Sequence, residues 1–176
     1  MSKKCDNTSS GIVFEKDNGD MLLIKRFNYP EAIALPAGHL DGDTPYENAK
    51  RESREEVGFV LRNLDLFWQG DINNPCKREG GSHHFWSVFY AVDWVGDLKA
   101  GSDAKEAFWS STKELKNYAE RTEYFMRKYN IHYNEVGRLT YAIFGDPAQK
   151  NTDPEWKFEM GLEPVWYKII KELKII

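Results

Sequence analysis

Three glutamates, Glu52, Glu55 and Glu56, lie within five consecutive residues. At about 100° per residue, their side chains share one face if the segment is helical. Folding gives no reason for the cluster, because like charges four residues apart destabilise a helix by about a few tenths of a kcal/mol. A divalent cation does give a reason, because hard ions such as Mg²⁺ prefer carboxylate oxygens. The spacing therefore predicts a metal site.

The sequence predicts where the helix that positions these carboxylates begins and ends. Thr44 is a suitable N-cap, Pro45 suits the first helical position, and Glu47 completes a capping box. Gly58 is well placed to end the helix. Small and apolar residues recur at helical spacing beside the glutamate face, and they are Tyr46, Ala49, Ser53 and Val57. We therefore expect one side of the helix to pack while the other faces the site.

Short apolar runs around this helix predict strands. They are residues 11–14, 21–26, 32–35, 64–68, 84–92 and 107–110. The Asn-Gly pair in residues 17–20 predicts a hairpin between the first two. The run 84–92 is apolar on both faces, which predicts a central strand that is covered on both sides. His83 and His84 would point to opposite faces, so at most one can face a given pocket.

The later part of the chain is predicted to be mainly helical. Ser111 or Thr112 could cap a helix that leads to Leu115, and residues 116–130 and 163–173 have helical patterns. Residues 146–161 form a polar connection. Strands on both sides of one helix, followed by further helices, predict an α+β fold, an α/β/α sandwich with a mixed sheet and extra C-terminal helices. We expect one domain over residues 1–176, with a flexible arm at residues 1–9. Residues 116–176 would be a helical extension, which could serve as a lid, a homodimer contact or a packed element.

The composition restricts the functional classes. Hydrophobic residues make up 41% of the chain and aromatic residues 14%, as in globular proteins. The net charge of -4 gives no case for nucleic-acid binding, which would need a basic stripe. No segment approaches the length of a membrane span, and the N-terminus lacks an apolar signal segment. We expect a cytoplasmic protein with no nucleic-acid or membrane partner.

The two cysteines, Cys5 and Cys76, are far apart and form no CxxC pattern. A disulfide scaffold is therefore not expected, and a zinc site would need ligands that do not cluster in the sequence. We expect two free thiols in a reducing compartment.

The run from Arg51 to Gly58, Arg-Glu-Ser-Arg-Glu-Glu-Val-Gly, resembles the signature of the Nudix hydrolase family. The family has an aliphatic residue at the position of Ser53 and a glutamate at the position of Asp43. Gly38 precedes Asp43 by one residue fewer than in the family. The resemblance is close over residues 35–59 and looser to about residue 115, and it implies a Nudix-type α/β/α sandwich.

The resemblance implies hydrolysis of a nucleoside diphosphate linked to another group. Its Mg²⁺ or Mn²⁺ ligands would be Glu52, Glu55 and Glu56, with the carbonyl of Ala37 or Gly38. Arg51 would hold a glutamate in place by a charge-assisted hydrogen bond. Glu52 is the first candidate for the general base, and Glu106, in the acidic stretch 103–109, is the alternative.

The substrate is less well defined by the residues. Arg26, His39 and Arg78 are candidate substrate contacts, although each also suits an exposed position. Pro75, sixteen residues after Phe59, and the passage 96–104 resemble ADP-ribose and nucleotide-sugar pyrophosphatases. We favour these substrates over nucleoside triphosphates and dinucleotides. A non-catalytic nucleotide-sensing module and a diphosphate isomerase are the alternatives from other classes.

Overall fold

The computed structural model describes residues 3–102, 104–149 and 151–176, and seven strands form two sheets. The strands are β1 (Thr8–Val13), β2 (Met21–Arg26), β3 (Ile33–Ala34), β4 (Ala37–Gly38), β5 (Val60–Ile72), β6 (His84–Val95) and β7 (Ala104–Ser110). One sheet has the order β4-β1-β6-β5, and the other has the order β3-β2-β7. The first sheet is mixed, because β1 and β6 are parallel whereas the pairs β4–β1 and β6–β5 are antiparallel.

The predicted hairpin between β1 and β2 forms only at its turn. Lys16 N–H donates to the carbonyl of Asp20 at 2.9 Å, and Gly19 takes a positive φ of 84°. Beyond one bridge between Glu15 and Met21, the two strands belong to different sheets. The prediction of a continuing hairpin is therefore wrong. Most residues of both strands are buried, so each strand pairs within its own sheet while the turn only joins the two layers.

The acidic segment is helical, as predicted, but the helix changes character part-way. Helix α1 spans Pro45–Glu52, and a π-helical turn follows over Ser53–Val57. The capping box at Thr44 is present, and Gly58 ends the segment with a φ of 78°. The hydroxyl of Ser53 donates to the carbonyl of Phe59 at 2.8 Å, which gives this polar residue a buried partner. A π-turn inside a helix is often found at functional sites.

The later strands are longer than predicted, and β6 is central in its sheet between β1 and β5. Its middle residues Trp86, Val88 and Phe89 are buried, whereas Phe85 and Val92 near its ends are exposed. Cover on both faces is therefore confined to the middle of the strand. Residues 8 and 9 of the predicted arm belong to β1. Residues 1 and 2 of that arm lie outside the described residues.

In the described part of the chain after the sheets, four helices follow: α2 (Thr112–Tyr129), α3 (Val136–Phe144), α4 (Pro154–Phe158) and α5 (Pro164–Glu172). Helix α5 matches the helix predicted over residues 163–173. Helix α4 lies within the predicted polar connection, where Asp153 caps it and Pro154 begins it. No helix of the described part of the chain is long and apolar enough to cross a membrane.

Two apolar clusters hold the elements together. The main core lies between the sheets and includes Trp166 of α5, whose ring contacts Trp86 at 5.7 Å between centroids. A Cβ added at Gly11 would come within 2.7 Å of the Trp166 ring, so this glycine lets α5 approach β1 closely. The second cluster joins the helices, and its members are Ala32, Phe125, Ile131, Leu139, Ile143, Phe144 and Trp156.

Candidate active site

The acidic face of α1 and of the π-turn lines a cleft of about 280 Å³. The opposite walls come from the end of β2, from the start of α5 and from the loop between β5 and β6. The cleft thus brings together the glutamates, Ala37, Gly38, Arg26, His39 and Arg78, which were all predicted as site residues.

Glu52 is the most buried of the three glutamates, with 8% of its surface exposed. Its carboxylate lies against the backbone of β4, and a Cβ added at Gly38 would overlap the carboxylate atoms. Asn48 Nδ2 donates to Glu52 Oε1 at 3.3 Å, one helical turn earlier. Only a glycine at position 38 leaves room for this carboxylate. Although Gly38 and Asp43 are one residue closer than in the family, Gly38 still lies beside the Glu52 carboxylate.

Arg51 braces the acidic cluster from one side. Its Nη1 atom contacts Glu52 Oε1 at 2.9 Å and Glu55 Oε2 at 3.2 Å. Its Nε atom donates to Asp43 Oδ2 at 2.9 Å, so aspartate at this position still receives the arginine. Its Nη2 atom donates to the carbonyl of His39 at 3.1 Å, which ties the loop after β4 to the helix. The planar guanidinium makes all four contacts at once.

The π-turn is fixed by backbone contacts on its far side. Ala37 N–H donates to Glu56 Oε2 at 2.8 Å, which orients this carboxylate towards β4. The loop before β7 covers the turn, because Gly101 N–H donates to the Glu56 carbonyl at 2.8 Å and Lys99 N–H donates to the Val57 carbonyl at 3.0 Å. The side chain of Glu55 is 60% exposed and faces the solvent side of the cleft.

The surroundings of Glu52 favour its protonated form. Burial raises the pKa of Glu52 above its ordinary value, and the neighbouring Arg51 guanidinium offsets this only in part. Partial burial acts to lower the pKa of Arg51, but the carboxylates of Asp43, Glu52 and Glu55 outweigh it and raise the pKa. Arg51 therefore stays charged. A carboxylate with a raised pKa accepts a proton more readily once it is ionised.

The donor set fits a hard divalent cation. Glu52, Glu55 and Glu56 line the same cleft beside β4, and a glycine opens the space beside the buried carboxylate. Oxygen donors of this kind suit Mg²⁺ or Mn²⁺.

The predicted substrate contacts are held by carboxylates. Arg26 Nη1 contacts both carboxylate oxygens of Glu163, at 3.1 and 2.9 Å, and Glu163 is the N-cap residue of α5. Arg78 contacts Asp41 through both of its terminal nitrogens, at 2.5 and 3.1 Å. The role of Glu163 was not predicted, because nothing in its local sequence shows that α5 returns to the cleft.

Glu106 is not among the described residues that line this cleft. It pairs with Lys25 across β2 and β7 and lines a separate cavity beside Tyr118. The structure therefore does not bring this alternative base to the glutamates of α1. Asp103, in the same predicted acidic stretch, lies outside the described residues.

His39 belongs to a group that sequence reasoning missed. Its ring faces Cys5, Cys76 and His84, and the ligand atoms of these four side chains lie within 4.8 Å of one another. The expectation that no such ligands cluster is therefore wrong. The sequence could not show the cluster, because its four residues come from four separate segments. Burial lowers the pKa of His84 to about 4, so its imidazole is neutral at neutral pH. Burial raises the pKa of Cys5 to about 11.

Comparison with known proteins agrees with the site. The family model for the NUDIX domain matches residues 7–129. An ADP-ribose pyrophosphatase of Methanocaldococcus jannaschii is 36% identical over 121 residues, which cover 66% of this chain and 69% of that protein. An 8-oxo-dGTP diphosphatase of Haemophilus influenzae is 30% identical over 114 residues, which cover 62% of this chain and 78% of that protein.

A solved structure shows the same fold. The MutT Nudix hydrolase of Burkholderia pseudomallei aligns with a TM-score of 0.53 and 24% identity, over 61% of this chain and 84% of that one. The observed architecture is accordingly the α+β Nudix fold with a mixed sheet. The capped acidic helix, its bracing arginine and the matched family model together show that the chain belongs to the Nudix hydrolase family.

Proposed function

We propose that this enzyme uses Mg²⁺ or Mn²⁺ to hydrolyse the pyrophosphate bond of a nucleoside diphosphate linked to another group. ADP-ribose or a nucleotide sugar is the favoured substrate. The observation that carries the proposal is the placement of the Glu52 carboxylate against Gly38, with Glu55 and Glu56 beside it in one cleft. These residues would hold the cation together with the backbone carbonyl of Ala37 or Gly38.

The bound cation would neutralise charge on the phosphate oxygens and lower the pKa of water. The protein contributes the base that receives the water proton. We assign this role to Glu52, because burial raises its pKa and Glu106 lies outside the cleft. Glu52 Oε1 accepts from Arg51 and Asn48, so Oε2 is the atom assigned to take the proton.

Arg26 and Arg78 would orient the substrate from the other walls. Arg26 Nη1 contacts both carboxylate oxygens of Glu163, and both terminal nitrogens of Arg78 contact Asp41. Each guanidinium is therefore positioned before the substrate arrives. A preorganised guanidinium suits the oxygens of a diphosphate. Tyr29, which is half-buried, also lines the cleft and would contact a base or sugar.

Two observations bear on the choice of substrate. The similarity to an ADP-ribose pyrophosphatase supports a nucleoside diphosphate derivative. The similarity to an 8-oxo-dGTP diphosphatase supports a nucleoside triphosphate as the second candidate. A non-catalytic sensing module is disfavoured, because all three metal-binding glutamates are present and face the cleft.

A substrate panel tests the proposal. The purified protein is incubated with Mg²⁺ and ADP-ribose, nucleotide sugars, nucleoside triphosphates or dinucleotides, and the products are separated by chromatography. We expect nucleoside monophosphate release from ADP-ribose or a nucleotide sugar. Release of pyrophosphate from triphosphates alone would support the second candidate. Nucleotide binding without turnover of any compound would instead identify a sensing module.

Light scattering on the same sample tests whether a homodimer forms.

A further inference from the structure

A group of thiols and imidazoles that the proposed hydrolysis does not use lies at one wall of the cleft. His39, Cys76 and His84 line the cleft, and Cys5 contacts the two histidines. The group comprises Cys5 before β1, His39 after β4, Cys76 in the loop between β5 and β6, and His84 at the start of β6. We call these four residues the Cys/His cluster. His84 is 2% exposed, and the other three are half-buried.

The distances in the Cys/His cluster match a tetrahedral cation site. Cys5 Sγ lies 3.4 Å from His39 Nε2 and 3.1 Å from His84 Nε2. Cys76 Sγ lies 3.4 Å from His39 Nε2, and the two Nε2 atoms are 3.3 Å apart. Zn–S bonds of about 2.3 Å and Zn–N bonds of about 2.0 Å place tetrahedral ligand atoms about 3.3 to 3.8 Å from one another. The remaining two pairs, Cys5–Cys76 and Cys76–His84, have their ligand atoms within 4.8 Å of each other, so the four side chains are close enough to share one cation.

A backbone N–H group lies beside the sulfur of each cysteine. Asn7 N–H donates to Cys5 Sγ at 3.4 Å, and Arg78 N–H donates to Cys76 Sγ at 3.2 Å. Each sulfur thus accepts from the residue two positions later. Backbone donors of this kind stabilise the negative charge that a metal-bound sulfur carries. A coordinated cation also deprotonates a thiol outright.

A second contact orients the buried imidazole. Asn74 Oδ1 lies 3.0 Å from His84 Nδ1 and accepts from the indole N–H of Trp86 at 3.4 Å. Because an indole nitrogen can only donate, this oxygen is the acceptor, and His84 Nδ1 is then the donor. The lone pair of His84 Nε2 consequently points into the Cys/His cluster. Metal-binding histidines commonly have such a partner on their second nitrogen.

The loop that carries Cys76 is folded tightly against the segment that carries Cys5. Cys5 N–H donates to the carbonyl of Glu79 at 2.9 Å, and Cys76 N–H donates to the carbonyl of Gly81 at 3.3 Å. A Cβ added at Gly81 would lie 2.9 Å from Cys5 Sγ, so a larger residue would push the two segments apart.

We propose that the Cys/His cluster binds one Zn²⁺ ion, separate from the cation of the acidic helix. Sulfur and imidazole ligands select Zn²⁺ over Mg²⁺, whereas the carboxylates of α1 have the opposite preference. Four protein ligands fill a tetrahedral shell and leave no open position, which is typical of a structural site. The ion would join the N-terminal segment to the loop of Arg78 and would hold that wall of the cleft in place.

Metal analysis under reducing conditions tests the proposal without assuming any enzymatic activity. The intact protein is dialysed against Mg²⁺ buffer, and its zinc content is measured by mass spectrometry. We expect about one zinc per chain, and about none in Cys76→Ser or His84→Ala. His83→Ala is the matched control, because His83 is the exposed neighbour of His84, and this variant should keep its zinc. Glu55→Gln should also keep its zinc, which separates the two cation sites.

Cobalt substitution of the unaltered protein gives a second readout if the variants fail to fold. Co²⁺ in the Cys/His cluster should show sulfur-to-cobalt charge transfer and the strong visible bands of a tetrahedral site. Absence of both zinc and these bands in reduced wild-type protein would overturn the proposal. Zinc retained in the folded Cys76→Ser variant but lost in Glu55→Gln would place the ion at the acidic helix instead. A Cys5–Cys76 disulfide in protein prepared with reductant would likewise contradict it.

Discussion

The carboxylate of Glu52 occupies the space that a side chain at position 38 would need, so Gly38 and Glu52 depend on each other. Glu52 comes from the end of α1 and Gly38 from β4. The contact thus joins the acidic helix to the mixed sheet. It explains in steric terms why a glycine stands on the strand that faces three glutamates.

Replacing Gly38 with alanine should displace the Glu52 carboxylate while leaving the fold intact. Gly38 does not have a positive φ, so alanine introduces no backbone strain there. We expect turnover to fall by about 10- to 100-fold, as for the loss of other groups that support metal ligands. Steady-state kinetics at saturating Mg²⁺ measure the effect. In a Glu52→Ala background, Gly38→Ala should lower turnover little further, because the carboxylate that it would displace is already absent. An equal loss in both backgrounds would contradict the contact.

Arg51→Lys should impair the enzyme although the charge is kept. Lysine cannot reach Asp43, Glu52 and Glu55 at the same time, because it lacks the planar fork of arginine. We expect a loss of about tenfold or more in kcat. Arg54→Lys is the matched control, since Arg54 is an exposed arginine of the π-turn that follows α1. Equal activity of both variants would show that Arg51 contributes only its charge.

Trp156→Ala should destabilise the protein strongly. Its ring is fully buried between Phe125 and Phe144, with centroids 5.1 Å away in both cases, and its N–H donates to the carbonyl of Glu31. We expect a loss of about 3 to 5 kcal/mol in the free energy of unfolding, measured by urea titration. Phe158→Ala, in the same helix, should change it by about 0.5 kcal/mol or less, because Phe158 is 92% exposed. Similar effects of the two changes would count against the packing of α4.

Asp153 should make stability depend on acidic pH. Burial acts to raise its pKa, but contacts with Lys128, Tyr129 and the backbone N–H of Glu155 outweigh burial and lower the pKa to about 2. The ordinary value is about 3.9, so the stabilisation is complete above about pH 4 and is lost as the pH falls towards 2. Asp153→Asn should therefore be less stable than wild type at neutral pH, and the urea midpoints should approach each other below about pH 4 and converge near pH 2. A constant difference across this range would contradict the assigned ionisation.

The C-terminal helices bear on the domain boundary. The family model ends at residue 129, yet Trp166 packs in the main core and Glu163 holds Arg26 in the cleft. We propose that the C-terminal segment completes the single domain expected over residues 1–176 and is not a detachable lid.

The acidic helix could be predicted from sequence because its signals are local. The capping box at Thr44, the stop at Gly58 and the spacing of the glutamates all lie within one short segment. The π-turn at Ser53–Val57 could not be predicted in the same way, because it depends on contacts with β4 and with the loop before β7.

Features that depend on contacts between residues far apart in the chain could not be predicted from the sequence. The Asn-Gly turn indicates a chain reversal, but it does not show that β1 and β2 join different sheets. The Cys/His cluster has no spacing pattern, because each of its four members comes from a different segment. Helix α4 is only five residues long, and its one buried aromatic residue, Trp156, gives no helical period.

The most direct test of the account is Mg²⁺-dependent hydrolysis by Glu55→Gln, measured on the best substrate of the panel. Glu120→Gln is the matched control, because Glu120 is exposed on α2, away from the cleft. Since glutamine keeps the shape but loses the negative charge that binds the cation, kcat should fall by about a hundredfold or more. The melting temperature should stay close to that of wild type. Full activity of folded Glu55→Gln would contradict the assignment of the acidic helix as the catalytic metal site.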